Sequence, residues 1–386
     1  MSRIYLDHNA TTPLDPEVLE TMVSVMKTDF GNPSSIHYEG RAAREFLDIA
    51  RQKVADLIRA SSSEIIFTSG GTEANNFSLL GAALSARGRA GRIISTQVEH
   101  ASIINPLKQL EKDYDIVLLG VDSNGKIDPD ELEASLTDDT LLVSIQYVNS
   151  ETGIIQDIAE ISERVRSRGI LFHTDAVQAA GKIDLDFKNL PVDMASFSAH
   201  KLYGPKGVGA LYLRKGTPPL FSPLCGGGQE RKRRGGTENV SGIAGFGKAC
   251  EIARNFLREG GSRRIAERGE YFLKALKDSI PDVSLIGEGV EKLGNTFNIV
   301  FDGVEGDTLL IGLDMAGISV SAGSACSSGS GLPSPTLLAM GLPVDSVNSS
   351  LRFSLGKGTT QEDLDKVVRV LQELTLMNRK PPPVFN

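Results

Sequence analysis

Lys201 stands at the centre of the segment SFSAHKLYGPKG, which covers residues 196–207 and follows a short apolar run. Its neighbours are small or polar, so the side chain has no apolar face to cover and no adjacent carboxylate to pair with. Two interpretations remain open: an ordinary solvated lysine, or an amine that bonds covalently to an aldehyde cofactor. The second interpretation predicts an enzyme.

A phosphate site is indicated where the apolar run EIIFT leads into SGGTEANN. A Gly-Gly turn at the start of a helix offers free backbone N–H groups and the positive end of the helix dipole to a phosphate. Gly71 allows close approach of the backbone, and Thr72 adds a hydroxyl donor. The same residues also fit a plain helix cap.

Asp175 ends the apolar run ILFHTD, where a buried carboxylate needs a partner. The protonated ring nitrogen of pyridoxal phosphate is such a partner, and an aspartate there keeps the cofactor electron-withdrawing. Gln178 could reach the phenolic oxygen of the same ring. The alternative is that Asp175 only caps a helix beginning at AVQAA.

His100, in QVEHAS, follows another strand pattern and could cover the cofactor ring and move protons, although a structural histidine is also consistent with the sequence. Ser198 and His200 lie close enough to Lys201 in sequence to help hold the phosphate. Asn149, after LLVSIQYV, is a further polar residue at a strand end. We expect these groups in one crevice.

Cys326 lies in SAGSACSSGSGLPSP, residues 321–335, a stretch composed almost entirely of Gly, Ser and Ala. Such a stretch cannot form a core, which predicts an exposed thiol on a mobile loop rather than a buried one. A linker that happens to hold a cysteine is the alternative. Arg352, in NSSLRFSLG, could grip a substrate carboxylate, and a structural salt bridge fits it nearly as well.

The elements that must position these residues form an α/β pattern. Continuous apolar runs alternate with amphipathic stretches between residues 64 and 213, which favours a mainly parallel sheet with a crevice at the carboxyl ends of its strands. A long helical pattern at 241–280 precedes a smaller α+β unit. We expect a large domain at 15–255, and a small domain formed by 1–14 and 256–386 that carries the Cys326 loop.

Composition disfavours nucleic-acid-binding, membrane, zinc-binding and disulfide-rich proteins. The 386 residues carry a net charge of −8, which disfavours a nucleic-acid-binding surface. No secretory signal and no run of about 18 apolar residues is visible, so we expect a cytoplasmic protein without membrane contact. Three cysteines without a CxxC pair disfavour a zinc site or a disulfide framework.

Nine motifs occur in the order found in the NifS/IscS-type cysteine desulfurases, and the resemblance covers nearly the whole chain. They are LDHNATT, SGGTEANN, VEHAS, YVNSETG, HTDAVQ, SFSAHKLYGPKG, RRGGTEN, SAGSACSSGS and LRFSLG. The resemblance implies the fold-type-I architecture of pyridoxal-phosphate enzymes, with a mainly parallel seven-stranded sheet and a smaller α+β domain. It also implies conversion of L-cysteine to L-alanine, with the sulfur kept as a persulfide.

The resemblance further implies a role for each matched residue. Lys201 would hold pyridoxal phosphate covalently and remove the substrate α-proton, while Cys326 would attack the substrate sulfur, helped by His100. The remaining matches are contacts to cofactor or substrate. At the cofactor ring, Asp175 would pair with the ring nitrogen, Gln178 and Asn149 would lie near the ring oxygen, and His100 would stack on the ring. Gly71, Thr72, Ser198 and His200 would lie at or near the phosphate, and Arg352 and Asn149 would contact the substrate. Thr237 matches a residue that reaches the phosphate of the neighbouring subunit, which implies a homodimer.

Partners and alternatives follow from the same resemblance. The persulfide would pass to an acceptor protein, an iron–sulfur scaffold or another sulfur carrier, and Cys326 could transiently ligate an iron–sulfur cluster although no resident metal is expected. The chain ends soon after its last predicted helix, without the tail of scaffold-binding members, which puts scaffold docking in doubt. A selenocysteine lyase, or another class-V aminotransferase-type enzyme, is the alternative function.

Overall fold

The computed structural model describes residues 3–88, 90–322 and 332–379. Its strands are β1 (Ile4–Tyr5), β2 (Ile65–Thr68), β3 (Arg92–Thr96), β4 (Asp115–Leu119), β5 (Thr140–Ser144), β6 (Leu171–Asp175), β7 (Met194–Ser198), β8 (Gly209–Leu213), β9 (Val283–Leu285), β10 (Thr296–Phe301), β11 (Ile318–Ser319) and β12 (Ser350–Ser354). Its helices are α1 (Pro16–Thr28), α2 (Tyr38–Leu57), α3 (Gly71–Ser85), α4 (Ala101–Leu110), α5 (Pro129–Ser135), α6 (Ile158–Ser167), α7 (Gln229–Lys232), α8 (Val240–Arg258), α9 (Gly261–Ser279), α10 (Gly306–Met315), α11 (Pro335–Ala339), α12 (Val344–Asn348) and α13 (Gln361–Asn378).

The central sheet has seven strands in the order β2-β8-β7-β6-β5-β3-β4. Neighbouring strands are parallel except at β8, which runs antiparallel to both β2 and β7. The apolar runs between residues 64 and 213, such as EIIFT and ILFHTD, form strands of this sheet. The expected mainly parallel, seven-stranded α/β sheet is therefore confirmed.

Both faces of this sheet are covered, which explains why its strands read as continuous apolar runs. In β2, Ile65 and Phe67 belong to one buried cluster, together with residues of α2, α6 and α8. Ile66 points into a second cluster that contains residues of α3 and α4. Alternate side chains of one strand thus enter two separate cores, as the two-residue repeat of a strand requires.

A second unit follows the sheet in sequence. It contains the antiparallel strands β12-β10-β9 and the parallel pair β1-β11. Ile4 and Leu6 lie in its core with residues of α9, α10 and α13, so the first residues pack with this unit. The helical pattern at 241–280 is two helices rather than one, because Gly260 adopts a left-handed φ of 72° between α8 and α9. The boundary expected at 255/256 falls within α8 and stays a prediction.

No helix in the described part of the chain is long and apolar enough to cross a bilayer.

Candidate active site

A cleft of about 230 Å³ lies where the carboxyl ends of β6 and β7 meet the start of α3 and the N-terminal segment. Nine of the residues singled out in the sequence line it: Gly71, Thr72, His100, Asp175, Gln178, Ser198, His200, Lys201 and Arg352. Asn9, Asn75 and Ser102 line it as well, and sequence reasoning gave them no role. The place is the one expected for ligands of open α/β sheets.

Lys201 is positioned by a short 3₁₀ turn, Ala199–Lys201, that directly follows β7. The turn needs a glycine soon after it, because a Cβ at Gly204 would lie 2.8 Å from the carbonyl oxygen of Ala199. The Lys201 amine donates hydrogen bonds to the carbonyl oxygens of Asn9 and Ala10, the latter at 2.8 Å. The N-terminal segment therefore closes one side of the lysine.

Asn9 connects the cleft with the second unit of the fold. Its backbone N–H donates to Ser354 Oγ at 2.9 Å, and its carbonyl oxygen accepts from Gln178 Nε2 at 2.9 Å. Asn9 Oδ1 accepts from the Lys182 amine at 3.0 Å. Asn9 belongs to the motif LDHNATT, so the motif was the signal that could have identified it.

Gln178 is oriented by two partners. Lys182 donates to Gln178 Oε1, which leaves the amide nitrogen to donate to Asn9. Burial lowers the pKa of Lys182 well below its ordinary value, and the charges of Lys201 and Arg352 lower it further. The half-buried Lys182 is a further residue that sequence reasoning missed.

Asp175 ends β6 and is buried. Its Oδ1 accepts from the backbone N–H of Val177 at 2.9 Å, and its Oδ2 accepts from Asn75 Nδ2 at 2.7 Å. Residues 177–182 form turns rather than the helix considered as an alternative. The carboxylate therefore caps a turn with one oxygen while the other is held in the cleft by α3.

His100 is the N-cap of α4, where its Nδ1 accepts from the backbone N–H of Ser102 at 3.1 Å. The Ser102 hydroxyl lies 2.7 Å from the same nitrogen. His200, on the Lys201 turn, contacts Thr11 Oγ1 at 3.1 Å. Burial and the nearby charges of Lys201 and Lys206 lower the pKa of His200 to about 4, so this ring is neutral at pH 7.

The start of α3 has the properties of an anion site. Its cap residue is Gly70, which provides no side-chain hydrogen bond to the helix, so the first N–H groups have no side-chain cap. Gly71 and Thr72, the first two helical residues, line the cleft. A Cβ at Gly71 would lie 2.7 Å from Val177 Cγ2, so glycine keeps the backbone accessible there. The carboxylate of Glu73 pairs with Arg234 at 2.8 Å, which offsets its negative charge.

Arg352 is a buried residue of the cleft wall whose charge is paired. It is 1% exposed, and its guanidinium donates to Asp7 Oδ1 at 2.7 Å and to the carbonyl oxygen of Ser150 at 3.2 Å. The guanidinium thus forms a salt bridge with Asp7, and its contact with a substrate carboxylate stays a prediction. Its Nε has no hydrogen-bond partner among the described residues.

Two of the predicted residues that the structure describes, Asn149 and Thr237, do not line the cleft. Asn149 is buried, and its amide is engaged by the backbone, with Oδ1 accepting from Glu151 N and Thr152 N at 2.9 Å each. Thr237 is exposed and lies before α8, outside the cleft lining. Cys326 lies outside the described residues. The functional roles of all three stay predictions.

The other cysteines differ from each other. Cys225 is exposed, whereas Cys250 is buried and burial raises the pKa of its thiol. Among residues 3–88, 90–322 and 332–379 no group of three or more His, Cys, Asp or Glu side chains is arranged to hold a metal ion.

The donor set of the cleft fits pyridoxal phosphate. An open helix start can hold the phosphate, an amine can bond to the aldehyde, and a carboxylate can pair with the ring nitrogen. The groups that would hold it are Gly71, Thr72, Ser198 and His200 for the phosphate, and Asp175, Gln178, His100 and Lys201 for the ring.

Comparisons with known proteins agree with this geometry. Residues 4–367 match the family model for aminotransferase class-V. The chain is 47% identical to a protein of Dictyoglomus turgidum named cysteine desulfurase IscS, over 96% of this chain and 94% of that protein. A solved NifS-like protein superposes with a TM-score of 0.91 at 37% identity, covering 97% of this chain and 100% of that one. A solved SspA in complex with cysteine gives a TM-score of 0.83 at 33% identity, covering 92% and 100%.

These matches span almost the full length of each compared protein and confirm the expected pyridoxal-phosphate fold type I. Their agreement in sequence and in structure extends over both units of the fold. The chain belongs to the class-V aminotransferase family and groups there with the NifS/IscS-type cysteine desulfurases.

Proposed function

We propose that the protein is a cysteine desulfurase that converts L-cysteine to L-alanine and keeps the sulfur as a persulfide on Cys326. One observation carries the proposal: the amine of Lys201 and the guanidinium of Arg352 line the same cleft, and the segment leading to Cys326 starts beside Arg352. Ser321 and Arg352 exchange both backbone hydrogen bonds, with N···O distances of 3.2 and 2.7 Å. The full-length similarity to the enzyme of Dictyoglomus turgidum supports it.

The chain between Ser321 and Cys326 is long enough for the thiol to reach a substrate bound in the cleft. Cys326 is five residues from Ser321 in sequence, and an extended chain spans roughly 3.4 Å per residue, or about 17 Å. A thiol tethered beside Arg352 can therefore meet a substrate whose carboxylate Arg352 holds. A bidentate guanidinium contact to a carboxylate would fix the direction of that substrate.

Bound pyridoxal phosphate supplies an electron sink that stabilises negative charge on the substrate carbon. Lys201 Nζ takes the proton from the substrate α-carbon, and Asp175 holds its carboxylate toward the ring nitrogen. The Cys326 thiolate forms a bond to the substrate sulfur while the bond between that sulfur and the β-carbon breaks. The carbon fragment keeps the electron pair, gains protons and leaves as alanine.

The activity test uses protein loaded with pyridoxal phosphate and supplied with L-cysteine and a reductant. The proposal predicts equal amounts of alanine and sulfide, and loss of both products in Cys326→Ala. A keto acid as the main product would indicate an aminotransferase instead. Full desulfuration by Cys326→Ala, or turnover of L-selenocysteine only, would indicate a lyase that does not need the thiol.

The homodimer belongs to the same proposal. Thr237 is exposed outside its own cleft, as a residue that serves a neighbouring subunit must be. Mixing Lys201→Ala with Thr237→Asp subunits tests this, because a hybrid dimer with shared sites contains one intact site and regains activity. Lack of recovery after confirmed subunit exchange would contradict the shared site.

The proposal includes the sulfur acceptor and the location of the enzyme. The acceptor is an iron–sulfur scaffold or another carrier protein, and the enzyme works in the cytoplasm. The domain division into 15–255 and 1–14 with 256–386 is supported by the packing of Ile4 and Leu6 with the C-terminal unit. Transfer of labelled sulfur from the loaded protein to candidate thiol proteins tests the acceptor.

A further inference from the structure

A chain of hydrogen bonds links Asp175 to His100 through two residues that have no assigned role. Asn75 Nδ2 donates to Asp175 Oδ2 at 2.7 Å and to Ser102 Oγ at 2.8 Å. Ser102 Oγ lies 2.7 Å from His100 Nδ1. Asn75 and Ser102 are 1% and 7% exposed, so water does not compete freely for these contacts.

The direction of each hydrogen bond in this chain is fixed by chemistry. A carboxylate accepts hydrogen bonds, so Asn75 must present its NH₂ group to Asp175. Both hydrogens of that group are then used, one of them on the Ser102 hydroxyl oxygen. Because this oxygen already receives a donor, the Ser102 hydroxyl hydrogen is free to point at His100 Nδ1.

A second donor reaches the same nitrogen. The backbone N–H of Ser102 points at His100 Nδ1 at 3.1 Å, since His100 is the N-cap of α4. A ring nitrogen that accepts from two donors holds a lone pair and not a proton. In a neutral imidazole the proton must then lie on Nε2.

We propose that Asn75 and Ser102 are positioning residues that hold His100 as the neutral tautomer with its proton on Nε2. The inference rests on the proposed function and refines it. In the resting enzyme His100 offers an N–H donor, and its only lone pair is occupied at Nδ1. That lone pair faces Ser102, so direct proton transfer from the Cys326 thiol at Nε2, the role expected from the family resemblance, would require the other tautomer.

Solid-state ¹⁵N NMR of the holoenzyme labelled at histidine tests the tautomer directly at pH 7. The chain has five histidines, and a His100→Gln spectrum assigns the resonances of the ring in question. The proposal predicts that Nδ1 of His100 has the shift of an unprotonated, hydrogen-bonded nitrogen and that Nε2 has the shift of an N–H nitrogen. A proton on Nδ1, alone or together with one on Nε2, overturns it.

Variants test the positioning role. Ser102→Ala should move the Nδ1 resonance toward that of a ring nitrogen with weaker hydrogen bonding, and Ser102→Thr should restore it. Asn75→Ala should also move it, while Ser78→Ala, on the same helix and bonded to the Ala74 carbonyl at 3.1 Å, should not. An unchanged Nδ1 resonance in Ser102→Ala overturns the role of the hydroxyl.

The desulfurase activity and the tautomer of His100 are tested by separate measurements, so one can be refuted without the other. Alanine formation from L-cysteine is measured on the same samples, so its absence in the wild-type protein would refute the desulfurase activity alone. The nitrogen resonances of His100 would still report the tautomer.

Discussion

Ser334 donates a hydrogen bond of 2.6 Å to Oε2 of the buried Glu151. Ser334 is the N-cap of α11 and lies just beyond residues 323–331, while Glu151 follows Ser150 in the cleft wall. Burial raises the pKa of Glu151. With Ser321 held by Arg352, the segment that carries Cys326 is therefore anchored beside the cleft at both ends.

We expect Ser334→Ala to slow formation of the Cys326 persulfide by roughly tenfold, because small errors in positioning a reacting group are costly. Single-turnover kinetics with L-cysteine measure this rate. Ser334→Thr keeps the hydroxyl and should retain the wild-type rate. Equal rates in the wild type and Ser334→Ala would show that this anchor does not matter for the reaction.

Replacing Lys201 should abolish turnover. Lys201→Ala removes the amine that bonds to the cofactor and takes the α-proton, so alanine formation should fall by roughly a thousandfold or more. The visible absorbance of lysine-bound pyridoxal phosphate should also disappear. The exposed Lys188 gives the control, and Lys188→Ala should keep both properties. Wild-type turnover by Lys201→Ala is incompatible with the assigned role.

Arg352 should affect both substrate binding and stability. Loss of a charged hydrogen bond to the substrate carboxylate should raise KM for L-cysteine roughly 10- to 100-fold in Arg352→Lys. Arg352→Ala also leaves the partly buried carboxylate of Asp7 without its partner, which should cost about 2 kcal/mol of folding free energy. Urea unfolding measures the second effect.

Asp7→Asn separates these effects, because it disturbs the pair while keeping the guanidinium. It should lower stability with a smaller change in KM. A KM unchanged in both Arg352 variants would assign Arg352 to structure only.

Glu99 should make stability depend on pH. Burial raises its pKa to about 8, while the unfolded carboxyl has a value near 4.5. Between these values the folded state binds up to one more proton than the unfolded state, so stability falls as pH rises, by at most about 1.4 kcal/mol per pH unit. Glu99→Gln stays neutral and should lack this contribution.

Unfolding free energies at pH 5.5, 6.5 and 7.5 give the comparison, since all other groups contribute equally to both proteins. The wild type should lose stability relative to Glu99→Gln across this range. Parallel curves would contradict a protonated Glu99 in the folded state.

The sheet could be predicted because each strand is covered on both faces, so its apolar residues form an unbroken run. β1 and β9, with two and three residues, are too short to produce such a run. The break between α8 and α9 depends on one left-handed glycine in a continuous amphipathic pattern.

Much of the site could be predicted because Asp175 ends one strand and Lys201 closely follows the neighbouring one, so both lie at the same edge of the sheet. The supporting residues could not, since short polar side chains acquire their role from distant partners. Asn75 and Asp175 are separated by 100 positions in sequence, and Asn9 and Lys201 by 192. Only the folded chain brings them into contact.

The central claim is that Cys326 receives the sulfur of L-cysteine. Holoenzyme mixed with one equivalent of L-cysteine, quenched with an alkylating reagent and digested, can be analysed by mass spectrometry. We predict one extra sulfur atom on the peptide that contains Cys326, with an equal amount of alanine, and no extra sulfur on the exposed Cys225. Release of alanine without any extra sulfur on the peptide that contains Cys326 would contradict the account.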